Sequence, residues 1–266
     1  MQSRSVSRTA MAAASLLGLA SAGLCQLPPP NAAGVSMGHL HLKVRDLEAH
    51  RVFWTALGGT PVKVGDMHVF QFPDVLVVYD KGEPTGGTDG SVVGHVGFRV
   101  KDLQASLEKW RAAGLKTLPG ASSHQAYVIA PDEIRIEMTE DPSLGVPIAN
   151  HHIHFYTSSV EETKAWYVKM FGAKPGKRGP FEAADLPGVN LTFSQATGAT
   201  TTTKGRALDH IGFEVKDLEA YCKKLEGQGV KFDLPYKRIP SLGISIAFLT
   251  DPWGTYIELT EGLNRF

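Results

Sequence analysis

Asp209-His210-Ile211-Gly212-Phe213-Glu214-Val215-Lys216-Asp217 reads as a short apolar strand that stops at an aspartate suited to cap a helix. The pattern recurs three times upstream. The copies are Gly38-His39-Leu40-His41-Leu42-Lys43-Val44-Arg45-Asp46, Gly94-His95-Val96-Gly97-Phe98-Arg99-Val100-Lys101-Asp102 and His151-His152-Ile153-His154-Phe155-Tyr156-Thr157-Ser158-Ser159. The aligned histidines His39, His95, His152 and His210 are 56, 57 and 58 residues apart. A fixed period of this kind marks a repeated supersecondary unit.

Each copy leads into an amphipathic helix pattern, closed by Gly58, Gly114, Gly172 and Gly229. Alternating strands follow, the last of them after a turn at Pro73-Asp74, Pro131-Asp132, Pro187-Gly188 or Asp251-Pro252-Trp253-Gly254. Six residues beyond each proline stand Tyr79, Glu137, Phe193 and Glu258. Two residues beyond each aligned histidine stand His41, Gly97, His154 and Gly212. Odd modules therefore resemble each other, and so do even ones. The alternation implies duplication of a pair, with domains over residues 37–142 and 148–262, a linker from Asp141 to Pro147, and a flexible lead over residues 23–36.

Charge excludes some partners. Twenty-seven basic residues balance 27 acidic ones, so no general field attracts nucleic acid or anionic lipid. Arg4 and Arg8 precede an apolar run, Met11 to Ala20, then a small-x-small site, Ala20-Ser21-Ala22, and three prolines, Pro28 to Pro30. That is the layout of a signal peptide over residues 1–22, with cleavage between Ala22 and Cys25 and export to the periplasm or outside the cell. The run is too short to span a bilayer. Of the two cysteines, Cys222 shares a helix stripe with Leu218, Tyr221 and Leu225 and reads as an inert core thiol.

The chain beyond Met37 resembles the vicinal oxygen chelate superfamily, which includes glyoxalase I, bleomycin-resistance proteins and extradiol dioxygenases. The stretches that carry this are the Asp209-His210-Ile211-Gly212 strand, Gly229-Val230-Lys231-Phe232 after the helix, and Asp251-Pro252-Trp253-Gly254-Thr255-Tyr256-Ile257-Glu258-Leu259. The resemblance implies an α+β fold of four βαβββ modules, paired into two domains with cupped mixed sheets. Metal ligands would come from the first and last strands of each module. The C-terminal domain then offers His152, His210 and Glu258, and the N-terminal domain His39, His95 and Glu137; the fourth slot falls on Phe193 or Tyr79.

Imidazole nitrogen and carboxylate oxygen suit Fe(II) or Mn(II) first, and also Zn(II) or Ni(II). Three protein donors leave open positions for a small molecule with adjacent oxygens. The resemblance thus implies a metal-dependent enzyme, leaning to a dioxygenase. A glyoxalase-like lyase or isomerase is the first alternative and a metal-independent binding protein the second. His41 and His154 share strand faces with His39 and His152, and Tyr256 with Glu258; all three read as catalytic or orienting residues. A lone strand histidine is more often structural, and His50, His68 and His124 read that way. Arg135, on the face of Glu137, could pair with that carboxylate. Lys204, Arg206 and the Thr200–Thr203 run read as loop. A monomer or homodimer fits, since four modules can complete two cups in one chain.

Overall fold

The computed structural model describes residues 27–265. Four βαβββ modules follow one another. The first holds β1 (Val35–Val44), α1 (Leu47–Leu57), β2 (Thr60–Val64), β3 (Met67–Phe72) and β4 (Val75–Lys81). The second holds β5 (Val93–Val100), α2 (Leu103–Ala112), β6 (Lys116–Pro119), β7 (Gln125–Ala130) and β8 (Ile134–Glu140). The third holds β9 (Ile148–Thr157), α3 (Val160–Phe171), β10 (Lys174–Arg178), β11 (Phe181–Leu186) and β12 (Val189–Gln195). The fourth holds β13 (Leu208–Val215), α4 (Leu218–Gly227), β14 (Phe232–Ile239), β15 (Ile244–Thr250) and β16 (Tyr256–Glu261). Aspartates start three helices as the sequence suggests: Asp46, Asp102 and Asp217 each accept a backbone N–H of the first turn. Gly58 and Gly172 close α1 and α3 in the left-handed conformation.

Two eight-stranded mixed sheets result, but not by the consecutive pairing expected. One runs β14-β15-β16-β13-β1-β4-β3-β2, joining the fourth module to the first; the other runs β10-β11-β12-β9-β5-β8-β7-β6, joining the third to the second. We call their concave faces cup 1 and cup 2. The spans 37–142 and 148–262 are therefore not spatial domains. The sequence could not separate the two arrangements, because each combines one odd with one even module.

The connections explain the nesting. Asp141 to Pro147, expected as a linker between domains, is a short link inside the second sheet. The longer segments 82–92 and 196–207 cross between sheets and lie side by side. Val92 N–H donates to Thr201, Thr201 N–H to Gly90, Thr85 N–H to Gly205 and Ala207 N–H to Gly86. Arg206, read as loop, fastens the pair: Nε donates to the Gly87 carbonyl at 2.9 Å, and another guanidinium nitrogen to the Asp89 carbonyl at 2.6 Å. Thr203 of the threonine run is fully buried, and its hydroxyl accepts Tyr256 N–H. Each crossover thus supplies hydrogen-bond partners to the other's backbone.

The convex faces and the helices share one apolar cluster that spans both sheets. Phe72 meets Phe98 at 5.0 Å between ring centroids, bridging the sheets, and Phe171 of α3 meets Phe213 of β13 at 4.9 Å. Burying each such ring contributes about 1.5–3 kcal/mol, so the two sheets form one packed body. Cys222 is buried in this core, and burial pushes its thiol up to about 11, as expected for an inert thiol.

The described part of the lead is packed rather than flexible. Leu27 is buried, and the Asn31 amide donates to the Phe171 and Gly172 carbonyls at the end of α3. The signal-peptide reading and Cys25 lie outside the described residues. Among the described residues no helix is long and apolar enough to cross a membrane.

Candidate metal centres

Strand register decides which side chains meet. β1 and β13 run antiparallel with His39 opposite Gly212 and His41 opposite His210, while parallel β16 sets Glu258 beside Gly212. In the second sheet Gly97 lies opposite His152 and His95 opposite His154, with Glu137 beside Gly97. Odd modules supply a His-x-His pair and even modules a His and a Glu. Cup 1 gathers His39, His41, His210 and Glu258; cup 2 gathers His95, Glu137, His152 and His154.

The expected residues all reach a cluster, but in exchanged company. His152 leaves His210 and Glu258 for the cup of His95 and Glu137, and His39 takes its place. The fourth slot also moves. In register it is Val78 and Thr192, beside His41 and His154, not Tyr79 and Phe193. Counting from the proline was one residue long. A one-residue slip moves a strand side chain to the opposite face, and Tyr79 and Phe193 are both buried in the convex core.

In cup 1, Glu258 Oε2 lies 2.9 Å from His39 Nε2 and 3.0 Å from His210 Nε2. One donor atom from each of the four residues falls within 4.8 Å of the others. Two cis donors on an octahedral ion, with bonds near 2.1 Å, stand about 3 Å apart, so the set fits a divalent cation. Two further observations agree. His39 Nδ1 is buried without a partner. A Cβ on Gly212 would stand 2.0 Å from the His39 ring, so only glycine admits the imidazole. The alternation of histidine and glycine seen in the sequence is this cradle, and Gly97 does the same for His152 at 2.0 Å.

Charge is arranged around the cluster. Burial pushes the Glu258 carboxyl up, but His210 and His39 outweigh it and hold the group well below the usual carboxylate range. Burial would lower His210; Asp209 and Glu258 raise it instead. Asp209 Oδ1 lies 2.8 Å from His210 Nδ1, which fixes a tautomer with Nε2 as the ligating atom. His41 Nε2 lies 2.7 Å from Asp80 Oδ1, and its ring stacks on His210 at 4.3 Å. Burial and the neighbouring His210 lower His41. Lys204 Nζ sits 4.2 Å over the Tyr256 ring, which packs edge-on to His210.

Cup 2 repeats the triangle with different surroundings. His95 Nε2 lies 3.0 Å from Glu137 Oε2 and 3.3 Å from His152 Nε2. His154 Nε2 is 2.7 Å from Ser194 Oγ. The group that reaches Glu137 is Arg178, 3.5 Å from Oε1; Arg135 lies over the Tyr127 ring instead. Burial pushes the Glu137 carboxyl up, but its hydrogen bond from His95 and the charges of His152 and His95 win. Arg178 and His151 are the residues the sequence reading missed. The available signal for Arg178 was the matching hairpin, Val64-Gly65-Asp66-Met67 against Arg178-Gly179-Pro180-Phe181, where both glycines are left-handed. For His151 it was the doubled histidine.

The histidines set aside behave variously. His50 is fully buried, with Nε2 3.3 Å from Asp132 Oδ2; His68 stacks on Tyr79; His124 pairs with Glu140 at 2.6 Å. None joins a cup.

A family model described as the Glyoxalase/Bleomycin resistance protein/Dioxygenase superfamily matches residues 150–259. That stretch is similar to the superfamily. It covers the third and fourth modules, which lie in different sheets, so the unit legible in sequence is not the unit that forms a cup. Glyoxalase I from Zea mays shares the fold, with a TM-score of 0.68 at 19% identity over 86% of this chain and 93% of its own. So does a putative dioxygenase from Bacillus subtilis subsp. subtilis str. 168, with a TM-score of 0.67 at 15% identity over 86% and 87%. No curated protein matches the chain in sequence. The shared fold and the two His/Glu clusters together mark a candidate metal-binding protein.

Proposed function

We propose that cup 1 is the active centre of a metal-dependent enzyme acting on a small molecule with two adjacent oxygens, in the manner of a dioxygenase. The observation that carries this is Glu258 Oε2 held 2.9 and 3.0 Å from imidazole nitrogens that come from opposite ends of the chain. His39, His210 and Glu258 hold the ion, and Asp209 orients His210. A divalent ion on this set supplies Lewis acidity to the paired oxygens of a substrate. Three protein donors leave room for the substrate and one further ligand.

His41 is the proton-transfer group. Asp80 orients it, and it is more exposed than the three donors around it, which places it where a substrate enters. Val69, Leu76 and Val78 form an apolar wall on the face of His39 and His41, suited to an apolar substrate body. A second reading, a glyoxalase-like lyase or isomerase, is favoured by one feature: His41 stands near enough to serve as a fourth donor.

Elemental analysis of protein purified without chelators tests the centre, with Fe(II) or Mn(II) expected ahead of Zn(II) or Ni(II). Oxygen uptake over a catechol panel, against turnover of thiol adducts of 2-oxoaldehydes, then separates the two reactions. A chain with no bound metal would sink the proposal. Both donor sets come from one chain, so we propose that a monomer suffices. Export after cleavage near Ala22 is part of the same proposal; N-terminal sequencing of protein recovered outside the cytoplasm checks it.

A further inference from the structure

Cup 2 differs from cup 1 at three equivalent positions, and each difference points the same way. Where cup 1 has buried Val64, cup 2 has Arg178, whose Nε donates to Thr192 Oγ1 at 2.8 Å while the guanidinium stands 3.5 Å from Glu137. Each central strand pair carries two bulges. Gly38 and Asp209 are the unpaired residues in cup 1, and His151 and Gly94 are their counterparts in cup 2. The bulge residue that leans on a donor histidine is thus an acid in cup 1, but a second imidazole in cup 2, with His151 Nδ1 3.1 Å from His152 Nδ1.

A cavity of about 440 Å³ opens beside this cluster, lined by Arg99, Asn150, His151, Lys177, Arg178 and Asn190. Its two carboxylates are Asp185, which accepts from the Asn190 amide at 2.7 Å, and Asp74, whose carboxyl is pushed up by burial while Arg99 draws it down. Arg99 Nε and His154 Nδ1 are buried without partners, the first on a residue of the cavity wall and the second in the donor cluster next to it.

We infer that cup 2 is a binding site for a small oxyanion, held by Arg178, Arg99 and His151. A guanidinium offers planar, paired N–H donors to carboxylate, sulfate or phosphate oxygens; Asp141 holds Arg99 Nη1 at 2.9 Å from one side, and Arg99 Nε is a donor that still lacks an acceptor. A divalent ion meets the opposite circumstances here. Opposite charges this close attract strongly where water is scarce, so Arg178, 3.5 Å from Glu137, competes for the carboxylate an ion would need. The inference is independent of the metal reading of cup 1.

The test is an NMR titration of the full chain, following the histidine ring resonances at fixed ionic strength, first with sulfate and then with succinate. Saturable shifts at His151, His152 and His154, with those of His41 and His210 unmoved, are expected from at least one probe. Saturation by succinate alone assigns the carboxylate of a metabolite as the source; saturation by sulfate assigns a site for inorganic or ester oxyanions. Arg178→Gln should weaken binding at least tenfold, Arg178→Lys less, and Glu258→Gln not at all. Should Arg178→Gln fail to fold, Arg99→Gln carries the same expectation. Shifts that do not saturate, that appear equally in cup 1, or that survive both arginine variants would overturn the inference.

Discussion

Cup 1 and cup 2 are assembled from the same two kinds of module, in the same register, around the same donor types. They nevertheless present different chemistry. Cup 1 surrounds its carboxylate with imidazoles backed by Asp209 and Asp80 and lines its wall with Val64, Val69, Leu76 and Val78. Cup 2 sets Arg178 against its carboxylate and His151 behind its donor, with Asn190 and Thr192 where cup 1 has Leu76 and Val78. The lesson is that a repeated donor triangle does not define a metal site by itself. The charge one shell further out decides whether a cation or an anion is the better guest.

The largest effect should come from breaking the triangle in cup 1. Glu258→Gln is expected to lower both bound metal and turnover at least a hundredfold, while Glu137→Gln leaves both near wild type; elemental analysis of the two variants side by side reads this directly. Next comes the cradle. Gly212→Ala drives a methyl into the His39 ring and should cost metal as well as about 1–3 kcal/mol of stability. Gly97→Ala should cost similar stability against His152 but little metal. Thermal melts paired with metal analysis separate these outcomes, and equal metal loss in both would erase the proposed distinction between the cups.

Orienting groups come third: Asp209→Asn should weaken metal about 10–100-fold, measured by competition with a chromophoric chelator. Arg178→Val, which installs the cup 1 residue in cup 2, sharpens the comparison from the other side. Metal stoichiometry should rise from near one towards two per chain, and no rise would mean that Arg178 is not what discriminates.

The smallest effect is on pH dependence. Burial pushes the Glu214 carboxyl, on β13 four residues beyond His210, up to about 7, although it accepts Gly262 and Leu263 N–H and the Thr260 hydroxyl. The folded form therefore binds this proton more tightly than the unfolded chain, whose value is near 4.5. Its contribution to stability is fully present below about pH 4.5 and is lost as pH rises through about 7. Glu214→Gln should flatten denaturation midpoints measured between those limits and raise the one at pH 7.5. An unchanged slope would place the carboxyl outside this linkage.

Much of the site was legible before any coordinates. The 56-to-58-residue spacing marked His39, His95, His152 and His210 as equivalent, and the turn motifs led to Glu137 and Glu258. Gly97 and Gly212 stood out by alternation, yet their purpose needed the register that lays each against an imidazole. Arg178 stayed hidden because its effect on Glu137 runs across strands well apart in the chain. The orienting contacts of Asp80 with His41 and of Asp209 with His210 needed the folded strands.

Local pattern alone settled the four modules, their strand-helix-strand order and the aspartate helix caps, while the donor residues were what the family resemblance implied. The modules and caps follow from periodicity and from the conformational preferences of aspartate, glycine and proline, which act within a few residues. Which module faces which was a matter for tertiary structure. Consecutive and nested pairings carry the same donors and bury the same strand faces; the choice lay in crossovers 82–92 and 196–207, whose backbones satisfy one another only when the outer modules close around the inner two.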